Sequence, residues 1–325
     1  AFAIMQYYHA TGDVAFMLEC GFELLFETAV FVYDQGHYYE NEFHIAGVTG
    51  PDEYTVLVDD NYYTNRMAKH HFESVVYIAN KHPETASIVK ELGYSISLLD
   101  DLTQAASKMC LLIDEERHLA LQDASFMRKK PLDLNTIPMS TRPMLLHYHP
   151  VFIYRHQVLK QSDAILALTL MNERDKVLFK NSFDYYLPIT THDSSLSKCM
   201  YGIAAYKLNE TKLAYEYMRD SVEIDLKNSK KHTQFGLHMA NMGGSYLLVL
   251  MGLLGVQIKE VLSVAPVYQT EIERFQLMIQ FQSTQVFFQV VQNQLSIHVS
   301  EPIDIELFGQ FVHVDKFHSA KIKLA

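Results

Sequence analysis

Residues 61–80, with the sequence NYYTNRMAKHHFESVVYIAN, form the stretch that decides the fold class. Apolar side chains recur in it at spacings of three and four residues, which is the period of an amphipathic helix. Pro83 follows the stretch and cannot continue a helix, so it marks where the helix ends. The pattern therefore predicts a helix, for which Asp59 or Asp60 is the expected N-cap.

The same helical period extends over most of the chain. Asp13 is placed to cap a helix whose apolar residues continue to Gly36. Further helices are predicted at 85–92, 100–110, 157–172, 173–183, 195–207, 210–220 and 239–253. Long loops are predicted at 37–60, 111–156 and 184–194. Helices that follow one another without alternating strands favour an all-α arrangement over a doubly wound sheet.

The pattern changes after Ala265 and Pro266. Short segments rich in Val, Ile and Phe there alternate apolar with polar residues, which is typical of antiparallel strands. These segments are 274–282, 286–290, 294–300, 303–308 and 311–315. We therefore expect a helical domain over residues 1–264 and a β-rich domain over residues 265–325.

Composition excludes several classes of partner. The 325 residues are 49% hydrophobic and 20% charged, which is ordinary for a folded protein. A net charge of −11 without a basic patch argues against a nucleic-acid partner. The sequence has no run of 18 apolar residues, so no membrane span is predicted. The three cysteines are widely spaced, which favours free thiols in a reducing compartment, so the cytoplasm is the predicted location.

The loop VTGPDEY, residues 48–54, has the strongest chemical signal. Pro51 restricts the backbone, Gly50 frees the turn, and two adjacent carboxyl groups follow. Two carboxylates cannot both ionise cheaply in a dry pocket, so one of them is expected to stay protonated and serve as a general acid. We assign that role to Glu53. The alternative, an N-cap, is already supplied by Asp59 or Asp60.

Two further segments have both a structural and a functional interpretation. In TTHDSSLS, residues 190–197, the serine hydroxyls could cap a helix, and a helix N-terminus with free amides also binds phosphate. In GLHMANMGG, residues 236–244, the glycines could serve close helix packing alone. Lys160 and Gln161 stand at the head of a predicted helix, where a solvated charge is the simpler interpretation.

Other signals point to no further chemistry. His70 with His71, and His147 with His149, lack a carboxylate at a spacing that would complete a three-ligand set, so no metal site is predicted. The chain has no GxxxxGK[ST] phosphate loop, no GxGxxG dinucleotide motif and no GxSxG nucleophile elbow.

Five motifs taken together resemble glycoside hydrolase family 65, which includes maltose, trehalose, kojibiose and nigerose phosphorylases. They are VTGPDEY, the segment DDNYYTN at 59–65, LKQSD at 159–163, THDSSLS at 191–197 and GLHMANMGG. The resemblance covers roughly residues 1–265 and implies the later part of an (α/α) six-hairpin barrel, followed by a small β-rich C-terminal domain. The fold class expected is therefore mainly α.

The resemblance also implies roles for individual residues. It makes Glu53 the general acid and Lys160 and Gln161 sugar contacts. It builds a phosphate site from Ser194, Ser195 and His238, with backbone amides near Gly243 and Gly244.

The implied activity is inverting phosphorolysis of an α-linked glucose disaccharide. The products would be β-glucose 1-phosphate and a released sugar, with inorganic phosphate as co-substrate and no cofactor. The implied partners are the disaccharide and phosphate, and the family allows a homodimer. The disaccharide linkage is not revealed by the sequence.

The chain departs from the family pattern at several positions. It has no tryptophan, Val30-Phe31-Val32 stands where relatives carry an Arg and a Trp, and Tyr246 replaces a usual Trp. The early barrel helices and an N-terminal β-sandwich are not found, so we expect a fragment that is incomplete as an enzyme. Two alternatives stay open, a trehalase-like hydrolase of the same family and a non-catalytic carbohydrate-binding barrel.

Overall fold

The computed structural model describes residues 1–227 and 236–322. Contacts between residues divide the chain into two compact units. The first unit holds residues 1–5 and 13–193, and the second holds residues 6–12 together with the described part of 194–325. The sheets begin earlier than the boundary expected near 264, because strands already form at 257–258 and 262–264.

Helices dominate both units. Those assigned before residue 193 are α1 (Phe2–Thr11), α2 (Val14–Phe16), α3 (Phe22–Gln35), α4 (Tyr62–Lys81), α5 (Thr85–Glu91), α6 (Leu98–Lys108), α7 (Pro150–Tyr154), α8 (Asp163–Leu170) and α9 (Lys176–Tyr186). A π-helical turn, Met17–Gly21, connects α2 to α3. Later in the chain come α10 (Ser197–Lys207), α11 (Thr211–Lys227) and α12 (Met239–Leu247), which runs into a π-helical turn at Leu248–Leu253.

The helix that decides the fold class, α4, lies where the sequence predicts it. Its buried face includes Phe72, Val75 and Ile78, none of which is exposed to solvent. The predicted cap is wrong, because Asn61 rather than Asp59 or Asp60 accepts the hydrogen bond from the Thr64 amide. At the other predicted cap, Asp13 does accept from the amide of Phe16.

The long predicted loops contain more structure than expected. A hairpin of β1 (Gly36–Tyr39) and β2 (Glu42–Ile45) lies in the first of them. The second contains β3 (Ile113–Asp114), β4 (Leu119–Ala120), β5 (Lys130–Pro131) and three 3₁₀ turns between residues 134 and 146. The helix predicted at 157–172 begins only at Asp163, because β6 (His156–Gln157) pairs with β5 and Ser162 caps α8.

Two four-stranded sheets form the β-rich part of the second unit. The first sheet has the order β14-β11-β10-β9, and the second has the order β13-β12-β8-β7. Their strands are β7 (Gln257–Ile258), β8 (Leu262–Val264), β9 (Arg274–Phe281), β10 (Thr284–Val291), β11 (Gln294–Val299), β12 (Ile303–Leu307), β13 (Gln310–Val314) and β14 (Phe317–Lys321). All pairs are antiparallel except β8 with β12, which is parallel and departs from the predicted arrangement.

The alternation predicted for the tail is realised in β10. Val286, Phe288 and Val290 are buried there, while the residues between them are more exposed. Because side chains alternate between the two faces of a strand, every second residue enters the core of this unit. Among the described residues, no helix has the length and apolar composition that a membrane crossing requires.

Candidate active site

The VTGPDEY loop is anchored to the start of α8 through Gly50. A Cβ built on Gly50 would lie 2.2 Å from Asp163 Oδ2 and 2.7 Å from Asn61 Nδ2. No side chain fits in that space, so the glycine is required by close approach rather than by backbone freedom. The N-cap of α4 and the first residue of α8 therefore hold the turn from one side.

The buried member of the two adjacent carboxyl groups is Asp52. Its Oδ1 accepts hydrogen bonds from the backbone amides of Lys160 at 2.8 Å, Tyr54 at 3.3 Å and Gln161 at 3.4 Å. In turn, the Asp52 amide donates to Asp163 Oδ1 at 2.8 Å. Asp52 thus connects the loop that carries Glu53 to the loop that carries Lys160 and Gln161.

The buried Asp52–Asp163 pair beside this loop favours a neutral carboxyl. Burial, followed by the charge of Asp163, raises the pKa of Asp52 well above its ordinary value, although the amide donors oppose this shift. Burial likewise raises the pKa of Asp163 to about 7. Burial disfavours the charged form of each carboxyl group, and the charge of Asp163 disfavours ionisation of Asp52 further. The assignment of the protonated acid to Glu53 stays a prediction.

Glu53 itself projects toward solvent. Its side chain is 59% exposed, and Lys160 Nζ lies 2.9 Å from its Oε1. An exposed carboxyl beside an ammonium can receive a substrate, but it must carry a proton before it can act as a general acid. Gln161 Nε2 donates to the Pro51 carbonyl at 2.7 Å. The structure therefore brings together the predicted acid and both predicted sugar contacts.

The third motif of the first unit joins the same assembly. Leu159 forms a parallel bridge with Thr190, and the Thr191 amide donates to the Leu159 carbonyl at 2.8 Å. The TTHD segment also contacts the VTGPDEY loop, because Tyr54 Oη donates to Asp193 Oδ2 at 2.6 Å. The segments that begin VTGPDEY, LKQSD and TTHD are thus connected by backbone and buried side-chain bonds.

Tyr54 and Asp193 are positioning residues that sequence reasoning missed. The Met144 amide donates to Tyr54 Oη at 2.9 Å and to Asp193 Oδ2 at 3.1 Å. Burial, and then the hydrogen bond to Asp193, raises the pKa of Tyr54. Asp193 lies within the TTHDSSLS segment, but no local pattern links it to a tyrosine 139 positions away.

The residues predicted to bind phosphate lie in the second unit. Ser194 Oγ accepts from the Leu196 amide at 3.2 Å, a local turn contact just before α10, whose N-cap Leu196 has no side-chain capping bond. Ser195 is half-buried. The proximity of these serines to Glu53 stays a prediction.

His238 is held by a residue that the sequence analysis did not single out. Its Nδ1 lies 2.6 Å from Asp225 Oδ1, and its amide donates to Asp225 Oδ2 at 2.9 Å. A carboxylate at Nδ1 fixes the orientation of an imidazole ring.

The two glycines after His238 differ in their surroundings. A Cβ on Gly244 would lie 2.4 Å from Cys199 Sγ, so helix packing alone explains that glycine. Gly243 is exposed, and a Cβ there would meet no atom within 4 Å. Of the pair, only Gly243 has open space beside it for a ligand.

The histidine pairs considered for metal binding have other surroundings. His71 is buried, its Nε2 lies 2.8 Å from the Leu25 carbonyl, and burial lowers the pKa of its ring to about 4. A different group, Glu42, His44 and Cys110, places three ligand atoms within 4.8 Å of one another. Sequence reasoning did not single out that group.

Comparison with known proteins places the chain among carbohydrate-active enzymes. Residues 1–247 match the model of the glycosyl hydrolase family 65 central catalytic domain. An alpha,alpha-trehalose phosphorylase of Geobacillus stearothermophilus is 40% identical over 95% of this chain and 42% of its own length. A kojibiose phosphorylase of Halothermothrix orenii is 31% identical over 91% of this chain and 39% of its own length.

A solved structure supports the same assignment. It is named provisionally as a kojibiose phosphorylase from human microbiome, and it is 28% identical with a TM-score of 0.90. The match covers 98% of this chain and 46% of that one, so the chain spans less than half the length of these relatives. The similarity confirms the predicted fold class, mainly α with a small β-rich C-terminal region. The chain therefore belongs to glycosyl hydrolase family 65.

Proposed function

We propose that this chain carries the acid-bearing part of an inverting disaccharide phosphorylase. The observation that carries the proposal is the exposed Glu53 carboxyl beside Lys160, on a loop that buried Asp52 fixes to the LKQSD segment. Named relatives of the same family are phosphorylases of trehalose and kojibiose. Both lines of support point to cleavage of an α-glucoside.

In the proposed reaction, protonated Glu53 donates its proton to the glycosidic oxygen as the bond to the anomeric carbon breaks. A phosphate oxygen attacks the same carbon from the opposite face and forms the new bond, which inverts the configuration. The products are β-glucose 1-phosphate and the released sugar. General acid assistance of this kind contributes about 10²–10⁴-fold to rate.

The first unit supplies the orientation that this step requires. Lys160 is positioned by the Asp52 carboxylate through its own backbone amide, and Gln161 by the Pro51 carbonyl. Both side chains are proposed to contact the sugar. Reacting groups must be placed to within a fraction of an ångström, and buried hydrogen bonds achieve this better than a free loop does.

The second unit is proposed to supply the phosphate site. Ser194, Ser195 and His238 would donate to phosphate oxygens, with backbone amides near Gly243 and Gly244, the fifth and sixth residues of α12. Asp225 would orient the His238 ring through its contact with Nδ1. Helix N-termini favour anions because their amides lack partners within the helix.

A hydrolase is the second candidate, and it would require a carboxylate that activates water. In inverting hydrolases that base lies about 6.5–9.5 Å from the acid. Asp52, the sequence neighbour of Glu53, and Asp163, which accepts from the Asp52 amide, are both buried and bonded to backbone amides. Their engagement disfavours them as the base, so phosphorolysis is the better-supported reaction.

Trehalose is the first substrate to test. Identity to the trehalose phosphorylases of Geobacillus stearothermophilus and Thermoanaerobacter brockii is 40% and 35%, compared with 31% to the kojibiose phosphorylase. The predicted cytoplasmic location, homodimer and lack of a cofactor stay predictions.

The test is phosphate-dependent release of glucose 1-phosphate from trehalose and from kojibiose, with the anomer read by NMR. We expect the β anomer, and we expect Glu53→Gln to lower kcat by about 10²–10⁴-fold. Glu84→Gln, an exposed first-unit glutamate, serves as the matched control and should leave kcat unchanged. Free glucose released without phosphate would establish the hydrolase instead. Sugar binding without turnover under either condition would establish the non-catalytic barrel.

A further inference from the structure

One face of the β1–β2 hairpin has several side chains of the types that serve as metal ligands in proteins. In the antiparallel register His37 lies opposite His44, and Tyr39 lies opposite Glu42. Because alternate residues of a strand point to the same face, Glu42 and His44 share one face with His37. The rings of His37 and His44 have centroids 6.0 Å apart.

Cys110 is brought to this hairpin from the end of α6. Its amide donates to the Phe43 carbonyl at 2.9 Å, and Met109 forms a parallel bridge with Phe43. The thiol of Cys110 is buried, whereas Glu42 is exposed and His44 is half-buried. One ligand atom from each of these three residues lies within 4.8 Å of the other two.

His44 is already oriented by a carboxylate. Its Nδ1 lies 2.8 Å from Asp60 Oδ2, and Asp60 Oδ1 is fixed in turn by Asn65 Nδ2 at 3.0 Å. A carboxylate at one ring nitrogen fixes the tautomer and makes the other nitrogen a better metal ligand. This arrangement has no role in the proposed phosphorolysis.

We propose that Glu42, His44 and Cys110 form a binding site for a zinc-like divalent cation. A thiolate with an imidazole selects zinc over magnesium or calcium, and a carboxylate is a common third ligand. Bond lengths of about 2.0–2.3 Å imply ligand atoms about 3.5 Å apart, so small side-chain movements would close the site. Water or His37 would complete four-coordination.

The local charge distribution supports a cation there. Two carboxyl groups lie at this cluster, that of Asp60 against the His44 ring and that of Glu42 among the three ligand groups. A bound cation neutralises that negative field and takes the thiol as thiolate. One proton is therefore released as the metal–sulfur bond forms.

The test measures zinc affinity of the chelator-stripped protein by competition with a chromophoric chelator, and cobalt binding by absorption. We expect one zinc per chain and a thiolate-to-cobalt charge-transfer band. Glu42→Gln should weaken zinc binding at least tenfold. Its matched control, Glu40→Gln, changes an exposed glutamate in the same hairpin and should leave the affinity unchanged.

Cys110→Ser should abolish the charge-transfer band, whereas Cys20→Ser, which alters an exposed thiol, should keep it. Because Glu42 is exposed, its variant folds even if the cysteine variant does not. Absence of zinc binding would overturn the proposal. So would equal affinity of the Glu42→Gln and Glu40→Gln proteins, or loss of the band with Cys20→Ser. None of these readouts depends on enzymatic activity.

Discussion

The loop that carries Glu53 and the segments that carry Ser194 and His238 are held in different ways. In the first, one buried carboxylate bonds an amide 108 positions away along the chain. In the second, Ser194 Oγ accepts a hydrogen bond from the amide two residues later, and His238 contacts a carboxylate 13 positions away along the chain. The geometry around the acid therefore depends on a few buried long-range groups. Changes there should affect stability and activity together, whereas changes around the serines and His238 should affect activity alone.

Removal of the Asp52 carboxyl group should have the largest effect on the stability of the first region. In Asp52→Ala, three backbone amides would lose their acceptor in a buried site, which should cost about 3–5 kcal/mol of unfolding free energy. Asp52→Asn keeps an acceptor oxygen and mimics the protonated acid, so it should cost less than about 1 kcal/mol. Urea unfolding of both variants, together with phosphorolysis rates, measures the difference. Equal stability of the two variants would mean that the carboxyl oxygen does not hold the loops.

Substitution of one glycine in each region tests the same difference, with a smaller expected effect on stability. Gly50→Ala would place a methyl group against Asp163 and Asn61, so overpacking should cost about 2–3 kcal/mol. Gly243→Ala adds a methyl group to open space in a helix, so it should be neutral or stabilise by up to about 1 kcal/mol. Thermal unfolding of the two variants side by side gives the measurement. If Gly50→Ala did not change the stability, the turn would be able to move and accommodate the added methyl group.

The pH dependence of stability provides a third test. The pKa of Asp163 is about 7 in the folded protein, above its ordinary value of 3.8, so the folded state binds more protons between these pH values. The free energy of unfolding contributed by this group therefore falls as pH rises from about 4 to about 7.

Replacing Asp163 with Asn removes that titration. Between pH 5 and pH 7.5, wild type should lose about 2–3 kcal/mol more stability than Asp163→Asn. His71, whose pKa is lowered to about 4, titrates in the opposite sense, but it does so in both proteins and cancels in the difference. If the unfolding free energies of the two proteins changed with pH in the same way, the raised pKa of buried Asp163 would be contradicted.

Local patterns were enough to predict most helices and five of the eight strands in the two four-stranded sheets, but not the contacts between distant segments. The apolar period of α4 and the alternation in β10 are local properties, and both elements lie where they were expected. The β1–β2 hairpin was missed because Glu40 and Asn41 form its turn, at φ of 46° and 72°, in place of the usual Asn-Gly pair.

The candidate site shows the same limit. Motifs identified Glu53, Lys160 and Gln161, and the structure brings these three together. Adjacent carboxyls in a sequence do not reveal which one is buried, because the partner that buries Asp52 is Asp163, 111 positions away. Asp225 was missed for a similar reason, since no pattern links it to His238.

The central claim, that Glu53 protonates the leaving group, is tested most directly by changing that group. α-Glucosyl fluoride and phosphate can react to β-glucose 1-phosphate and fluoride, and fluoride leaves without a proton. Glu53→Gln should therefore lose about 10²–10⁴-fold in phosphorolysis of the disaccharide substrate, yet stay within about tenfold of wild type on the fluoride. Equal losses on both substrates would contradict the assignment of Glu53 as the acid.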